Sequence, residues 1–403
     1  MNCNNLLLNN IDNNFLNKQL LTYLGNKREL KDWFINYLQQ QINMKPSYSY
    51  SFLDGFSGSG IISRCAKIIP NISDIYCNDW EYYSYIYNSC YLSNVPIHSN
   101  KFKNISYYID KCNQNKLVSQ NCNNYIYGNY TPLDDNNIQL YDRCFYTSKN
   151  GIIIDNIRNY INKYIPEEYQ KYCIGSLLYE CSVKNNTCGY FNSFYKSEKQ
   201  CEDIFNNNKI QIGKYGGKNS NDLKRITADI ELPIPVFSSI NKNITISCQD
   251  MNKYVETMTP VDITYYDPPY NKHPYGTFYF MLNEIAEYNT NKILPKHNES
   301  IRGQSNDWKR SDYNSFSKAE IAFEKLIENT KSNKIIVSYY NKGIISIDNM
   351  KNILEKYGSV EIINFDHKPY HKLIGQGSKF ISKIETKKNN SKLNEYLFIL
   401  NKK

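Results

Sequence analysis

One stretch of the chain restricts the fold more than any other. An apolar run from Tyr50 to Leu53 leads into Asp54-Gly55-Phe56-Ser57-Gly58-Ser59-Gly60. Ile61, Ile62, Cys65, Ile68 and Ile69 then follow at helical spacing until Pro70. A second apolar run, Ile75-Tyr76-Cys77, closes on Asn78-Asp79-Trp80. Strand, glycine turn, helix and strand in this order make a crossover unit, and strands joined through a helix run parallel. Parallel strands need cover on both faces, so the unit predicts an α/β, doubly wound sheet with ligands bound beyond its strand C-termini. Glycines in the first turn let the backbone approach such a ligand, and the helix behind points its N-terminus at a carboxylate or phosphate.

Upstream, Leu30, Trp33, Phe34, Tyr37, Leu38 and Ile42 recur at helical spacing. From residue 100 to 240 the sequence turns polar and rich in Asn, Tyr and Lys, and strand–helix alternation stops. Helices are expected there at Gly151 to Ile161 and Glu168 to Cys181. The sheet resumes with Ile244-Thr245-Ile246 and with Val261 to Tyr266. A helix over Phe316 to Ile327 precedes a strand over Lys334 to Ser338. Ser346 suits the N-cap of a helix ending near Tyr357-Gly358. Val360 to Asn364 and Glu395 to Leu400 are expected to pair as a long hairpin. The predicted organisation is one α/β domain in two parts, residues 1–99 and 241–403, with residues 100–240 inserted between them.

Forty-eight Lys and Arg against 39 Asp and Glu leave a formal charge of +9, which favours a polyanionic partner such as nucleic acid. The 38 tyrosines travel with many Asn and Lys and so reflect coding bias more than base stacking. Twelve cysteines stand scattered, without a CxxC pair or His at metal-ligand spacing, which points to reduced thiols and no metal site. No segment approaches the roughly 20 apolar residues that span a bilayer. Met1-Asn2-Cys3-Asn4 lacks the basic flank of a secretion signal, so a cytoplasmic protein with no membrane partner is expected.

The sharpest chemical signal is Asp267-Pro268-Pro269-Tyr270 at the end of the Val261–Tyr266 run. The lone pair of an aromatic amine is delocalised into its ring. A carboxylate and a backbone carbonyl that accept its two N–H bonds draw the nitrogen toward tetrahedral geometry and free that pair. Asp267 supplies the first acceptor and Pro268 the second, while the two prolines hold both rigid. Tyr270 offers a ring face to an extruded base. A double proline can also simply end a strand. Asp79, at the end of the next strand after the glycine turn, is placed for ribose hydroxyls. Glycine turn and Asp79 alone would equally suit a nicotinamide or flavin enzyme; the Asp267–Tyr270 strand end decides against that. Lys27 can pair with a cofactor carboxylate, or stand as a solvated lysine. Asp250 can bond a cofactor amine with Met251 against its ring, or cap a loop end.

Together these residues resemble the DNA N6-adenine methyltransferases in which the cofactor motif comes first and a target-recognition domain separates it from the catalytic tetrad. Tyr23-Leu24-Gly25-Asn26-Lys27 resembles the family's N-terminal cofactor-contact motif. Phe56 to Gly60 resembles its glycine loop, Asp79 its ribose carboxylate and Asp267, Pro268, Pro269 and Tyr270 its tetrad. Phe145-Tyr146-Thr147, Asn150-Gly151, Asp155, Arg158, Asn271, Val337 to Asn341 and Glu395 to Phe398 resemble a subset from restriction-modification systems. Gly55 departs from the proline often found before the loop Phe.

The resemblance implies a Rossmann-like sheet of seven strands, the last antiparallel, and S-adenosyl-L-methionine as cofactor. It assigns that cofactor Tyr23, Lys27, Asp54, Phe56, Gly58, Gly60, Asp79, Trp80, Asp250 and Met251. It also implies methyl transfer to a flipped adenine in double-stranded DNA, no metal, and a cognate restriction endonuclease as a possible partner. Residues 100–240 would be the target-recognition insert. Expected phosphate contacts are Lys184, Lys196, Lys199, Lys214, Lys218, Lys224 and Arg225 in the insert, and Lys292, Lys296, Arg302, Lys309 and Arg310 beyond the tetrad. Two alternatives stay open at this point: an RNA base methyltransferase, and an inactive DNA-binding module on the same scaffold.

Overall fold

The computed structural model describes residues 10–22, 25–43, 47–118, 124–139, 141–196, 220–366 and 394–403. Its centre is a seven-stranded sheet built from β1 (Tyr50–Asp54), β2 (Ile72–Asn78), β3 (Asn243–Ser247), β4 (Val261–Tyr266), β5 (Ser332–Tyr340), β6 (Gly358–Asp366) and β7 (Asn394–Lys402), in the order β3-β2-β1-β4-β5-β7-β6. The strands from β3 to β5 pair in parallel, and β7 is antiparallel to both β5 and β6. This is the mostly parallel, Rossmann-like α/β fold, and the expected terminal pair is present, with Ile362 opposite Phe398.

Side chains alternate between two apolar layers as the pleat requires. Phe52, Tyr265 and Ile336 point into a cluster with α1 (Asn10–Asn17), α2 (Lys31–Asn43) and α3 (Ile61–Lys67). Their neighbours Leu53, Tyr266, Ile335 and Val337 point the other way. They pack on α10 (Met251–Thr257), α13 (Ala319–Asn329) and α14 (Ile347–Glu355). Both faces of the central strands are covered, which explains why these strands read as continuous apolar runs.

The block from 100 to 240 is helical where described, with α5 (Asn100–Asn115), α6 (Tyr125–Tyr130), α7 (Ser148–Tyr164), α8 (Glu167–Val183) and α9 (Ser220–Thr227). After the Asp267–Tyr270 segment, the short α11 (Tyr275–Phe278) leads into α12 (Phe280–Glu287). Ile105, Ile154, Ile157 and Leu177 from the block share one apolar cluster with Tyr83 and Tyr87 of α4 (Tyr82–Tyr91) and with Met281 and Ile285 of α12. The block is therefore packed onto the helix after β2 and onto α12. Ser346 caps α14 as expected, its hydroxyl accepting from the Asn349 amide at 3.1 Å.

The strand order reverses between β1 and β4. Asp54 lies beside Cys77 on one side and Tyr265 on the other. The two segments with the strongest chemical signals thus leave adjacent strands at the same sheet edge.

Candidate functional site

The loop after β1 is pinned to both neighbouring strands. Gly55 donates its amide to the Tyr265 carbonyl at 3.0 Å, and Ser57 donates to the Asn78 carbonyl at 3.0 Å. Gly58 and Gly60 have φ of 50° and 71°, a left-handed backbone that β-carbons oppose. At Gly60 a β-carbon would also lie 1.8 Å from Asn88 Oδ1. Asp79 closes the loop from across the gap: its Oδ2 accepts the Gly58 amide at 2.7 Å and its Oδ1 the Glu81 amide at 2.8 Å.

The loop walls a cavity of about 80 Å³. Lys27, Asp54, Phe56, Gly58, Asp79, Trp80, Asp250, Met251 and Asp267 all line it, so residues more than 200 positions apart in the chain share one space. Gly60 stands just behind the loop, and Pro268 and Tyr270 flank the Asp267 end without lining the cavity. Tyr23 falls outside the described residues.

Asp54 is 1% exposed; its Oδ2 accepts from the Ser63 hydroxyl at 2.7 Å and the Ser63 amide at 3.1 Å, while its Oδ1 has no partner among the described residues. Burial pushes this carboxyl up to about 7, against the pull of the Ser63 bonds. A buried acceptor left unmatched at the cavity wall is a place for a donor or cation from a ligand. Asp79 is likewise raised by burial, opposed by the Glu81 and Gly58 amides.

Lys27 is buried and lies between two carboxylates, with Nζ 2.6 Å from Glu395 and 3.2 Å from Asp267. Burial alone would lower its pKa. Asp267 first and Glu395 second more than offset that and hold the ammonium charged. Burial raises Asp267 to about 7; Lys27 opposes the shift and Glu395 adds to it. The two directions agree on one arrangement, a fixed cation with two anions competing for it. A solvated lysine is thereby ruled out at position 27.

Tyr270 packs at 5.8 Å from the Tyr340 ring and 6.5 Å from the Tyr339 ring, and its carbonyl accepts the Ile344 amide at 3.0 Å. Asp250 is the N-cap of α10, accepting the Lys253 amide at 3.2 Å, so the capping role considered for it is real. Met251 is buried, with its sulfur 3.4 Å from the Asn78 side-chain nitrogen.

A second, larger cleft of about 1460 Å³ opens beside the first. Lys196, Lys272, His273, Arg302, Arg310 and Lys318 line it together with Asn192, Gln304 and Trp308. Pro274, Ser311 and Asn314 line both spaces and form the partition between them. Of the expected phosphate contacts, Lys196, Arg302 and Arg310 face this cleft.

Lys309 corrects the expectation. It lines the smaller cavity, bonded at 2.5 Å to the Trp80 carbonyl and 5.8 Å from the Trp80 ring centroid. Arg225 holds the carbonyls of Val183 and Asn185, a structural role that a basic run in sequence does not reveal. Lys224 is exposed on α9 away from both spaces. Lys184 pairs with Glu180 and Lys292 with Glu284 and Asp307. Lys199, Lys214 and Lys218 fall outside the described residues.

The sequence singled out no role for Glu395, Ser311, Asn314, Lys272 or Lys318. Only Glu395 left a usable signal, an acidic side chain directly before the apolar run from Tyr396 to Leu400.

Residues 23–224 and 206–368 match the family profile described as D12 class N6 adenine-specific DNA methyltransferase. The chain is 26% identical over 393 residues to Type II methyltransferase M.NlaIII of Neisseria lactamica, covering 95% of this chain and 99% of that one. It is 24% identical over 355 residues to Type II methyltransferase M.CviAII of Paramecium bursaria Chlorella virus 1, with 86% and 92% covered. Modification methylase LlaI of Lactococcus lactis subsp. lactis is 25% identical over 392 residues, 93% of this chain and 56% of its own length.

Proposed function

The chain belongs to the D12 class of N6 adenine-specific DNA methyltransferases, and from that premise we propose that it takes its methyl group from S-adenosyl-L-methionine and delivers it to an adenine turned out of double-stranded DNA. The observation that carries this reading is the shared partition. A basic cleft wide enough for a polyanion meets, across Pro274, Ser311 and Asn314, a cavity that holds both the glycine loop and Asp267.

The residues of the small cavity suit the donor. The unmatched Asp54 Oδ1 suits its ammonium group. Lys27 suits its carboxylate, Asp79 its ribose, and Met251, Asp250 and Trp80 its adenine ring. When bound, this cofactor supplies a methyl group activated by a positively charged sulfur. The enclosed space is well below the roughly 300–1,000 Å³ of a cofactor site, so binding requires side chains to withdraw. Lys309, exposed and held through Trp80, is the readiest to do so.

Asp267 and the Pro268 carbonyl accept the target amine's N–H bonds and localise its lone pair, preorganised by the proline pair at the strand end. Asp267 does this as a carboxylate, and Lys27 at 3.2 Å favours that form. Lys272, Arg302 and Arg310 neutralise phosphates along the cleft, while Lys196 is held by the Gln139 and Asp142 carbonyls and Lys318 by Asp312. The flipped base passes the partition toward Asp267, the end of the cavity that Tyr270 flanks. The names of the relatives support a role as the modification partner of a restriction endonuclease, acting in the cytoplasm where the DNA lies.

The test is transfer of labelled methyl from S-adenosyl-L-methionine to duplex DNA, single-stranded DNA and RNA by the purified protein. Label recovered as N6-methyladenine from duplex DNA supports the proposal. Label in RNA, or none with this donor, overturns it.

A further inference from the structure

Lys27 has more negative charge around it than an ion pair needs. Its Nζ lies closer to Glu395, at 2.6 Å, than to Asp267, at 3.2 Å, and the three side chains are only 10%, 8% and 18% exposed. Glu395 enters from β7, opposite Tyr340 of β5, and its Oε1 accepts a bond from the Ser338 hydroxyl on β5. The sheet therefore fixes this carboxylate from two adjacent strands.

We propose that Glu395 is a positioning residue for methyl transfer, holding Lys27 as its own counter-ion so that Lys27 does not close on Asp267 and Asp267 keeps an acceptor for the target amine. The proposal rests on the role of Asp267 given above. A lone buried Asp–Lys pair would draw tightly together and cancel, leaving a weak acceptor where the amine must bind. A second carboxylate changes the balance: one cation faces two protein carboxylates, and the trio carries one net negative charge. The amine nitrogen becomes cationic as it is alkylated, until its proton leaves, and that surplus charge stabilises it. Removing Glu395 alone transfers the whole of Lys27 to Asp267.

The charge arrangement gives a readout that packing alone would not. Asp267 is faced by Lys27 from the N-terminal loop, Glu395 from β7, Tyr265 and Tyr270 from β4 and its exit, Tyr339 from β5 and Asp54 from β1. Of these, Lys27 lowers its pKa and Glu395 raises it. Neutralising Glu395 therefore moves the Asp267 titration to lower pH.

The experiment measures kcat and KM for duplex DNA against pH in full-length wild type, Glu395→Gln and Glu395→Asp, with Asp267→Ala as reference. Glu395→Gln is expected to lower kcat about 10- to 100-fold, the range a small misplacement at a reacting centre produces. KM should change little, and the acid limb should shift to lower pH. Glu395→Asp, which keeps the charge on a shorter arm, should recover part of the rate with the limb in its wild-type place. An unchanged kcat in Glu395→Gln, or a lowered kcat with an unmoved limb, overturns the proposal. If Glu395→Gln does not fold, Glu395→Asp decides: wild-type kcat in that variant is the contrary result. Activity surviving in Asp267→Ala would instead bring down the reading on which the proposal rests.

Discussion

Replacing Asp54 by Asn separates the stability of the site from its use. The carboxyl is 1% exposed and carries one oxygen bonded to Ser63 and one with no partner among the described residues. Its pKa is raised from 3.8 to about 7, chiefly by burial, so above that pH the fold holds a charge it would rather not hold. Keeping that carboxylate ionised at pH 8 costs the native state about 4 kcal/mol. An asparagine keeps the acceptor for Ser63 and turns a neutral amide toward the cavity. At ~2.1 cal/mol/K per residue over 403 residues, that gain is about 5 °C in Tm.

The sign follows from proton uptake. With its folded pKa above the unfolded one, the native state binds the proton first as pH falls. The cost of Asp54 is complete above pH ~7 and disappears as pH drops toward ~4. Differential scanning calorimetry of both proteins from pH 8 to pH 4.5 should show the asparagine variant ahead at pH 8 and the gap closing below pH 7. The variant should also lose the thermal shift that S-adenosyl-L-methionine gives the wild type. A lower Tm at pH 8, or a gain that does not change with pH, would refute the argument from burial.

Four further outcomes follow from single observations. Gly60→Ala puts a β-carbon 1.8 Å from Asn88 Oδ1 at a φ of 71° and should cost at least about 2 kcal/mol in urea unfolding. Gly128→Ala, exposed in α6 with none of the described residues within 4 Å of an added β-carbon, should gain about 0.5–1 kcal/mol. In duplex-binding titrations across salt, Arg310→Ala and Lys272→Ala should each reduce the slope of log K against log salt by ~0.9, while Arg225→Ala leaves it unchanged and lowers Tm. The wild-type kcat should fall as pH drops below ~7, because Asp267, raised to about 7 by burial, must be ionised to accept the amine; a pH-rate profile with no acid limb between pH 6 and pH 8 speaks against it.

Much of the sheet is legible in the sequence because burial on both faces writes β1, β2, β4 and β5 as apolar runs, and because turns and prolines punctuate them. Of the terminal pair, β7 is legible for the same reason, whereas β6 is an edge strand that exposes Glu361, Ile362 and Asn364 and is legible through its β-branched residues Val360, Ile362 and Ile363. The helix α4 is not, since Tyr82–Tyr91 carries tyrosine on every side and shows no polar face. Nor is α5, whose Ile105, Ile109 and Cys112 stripe is thin among asparagines and lysines.

At the site, residues that act through local sequence are legible: the glycine turn, Asp79 and the Asp267–Tyr270 strand end. Residues whose meaning depends on a distant partner are not. Lys309 looks like any basic residue in a loop until it is found on Trp80, 229 positions away. Arg225 looks free until its carbonyl partners are in place. The role of Glu395 exists only through the pairing of β7 with β5 and the arrival of Lys27 from the other end of the chain.

The most direct measurement is methylome sequencing of plasmid DNA from a host without adenine methylation, expressing either the wild-type chain or Asp267→Ala. N6-methyladenine is expected in one short recognition sequence with the wild type and nowhere with the variant. Unmodified plasmid DNA from the wild type, or modification that persists without Asp267, would contradict the assignment of this site as an adenine methyltransferase centre.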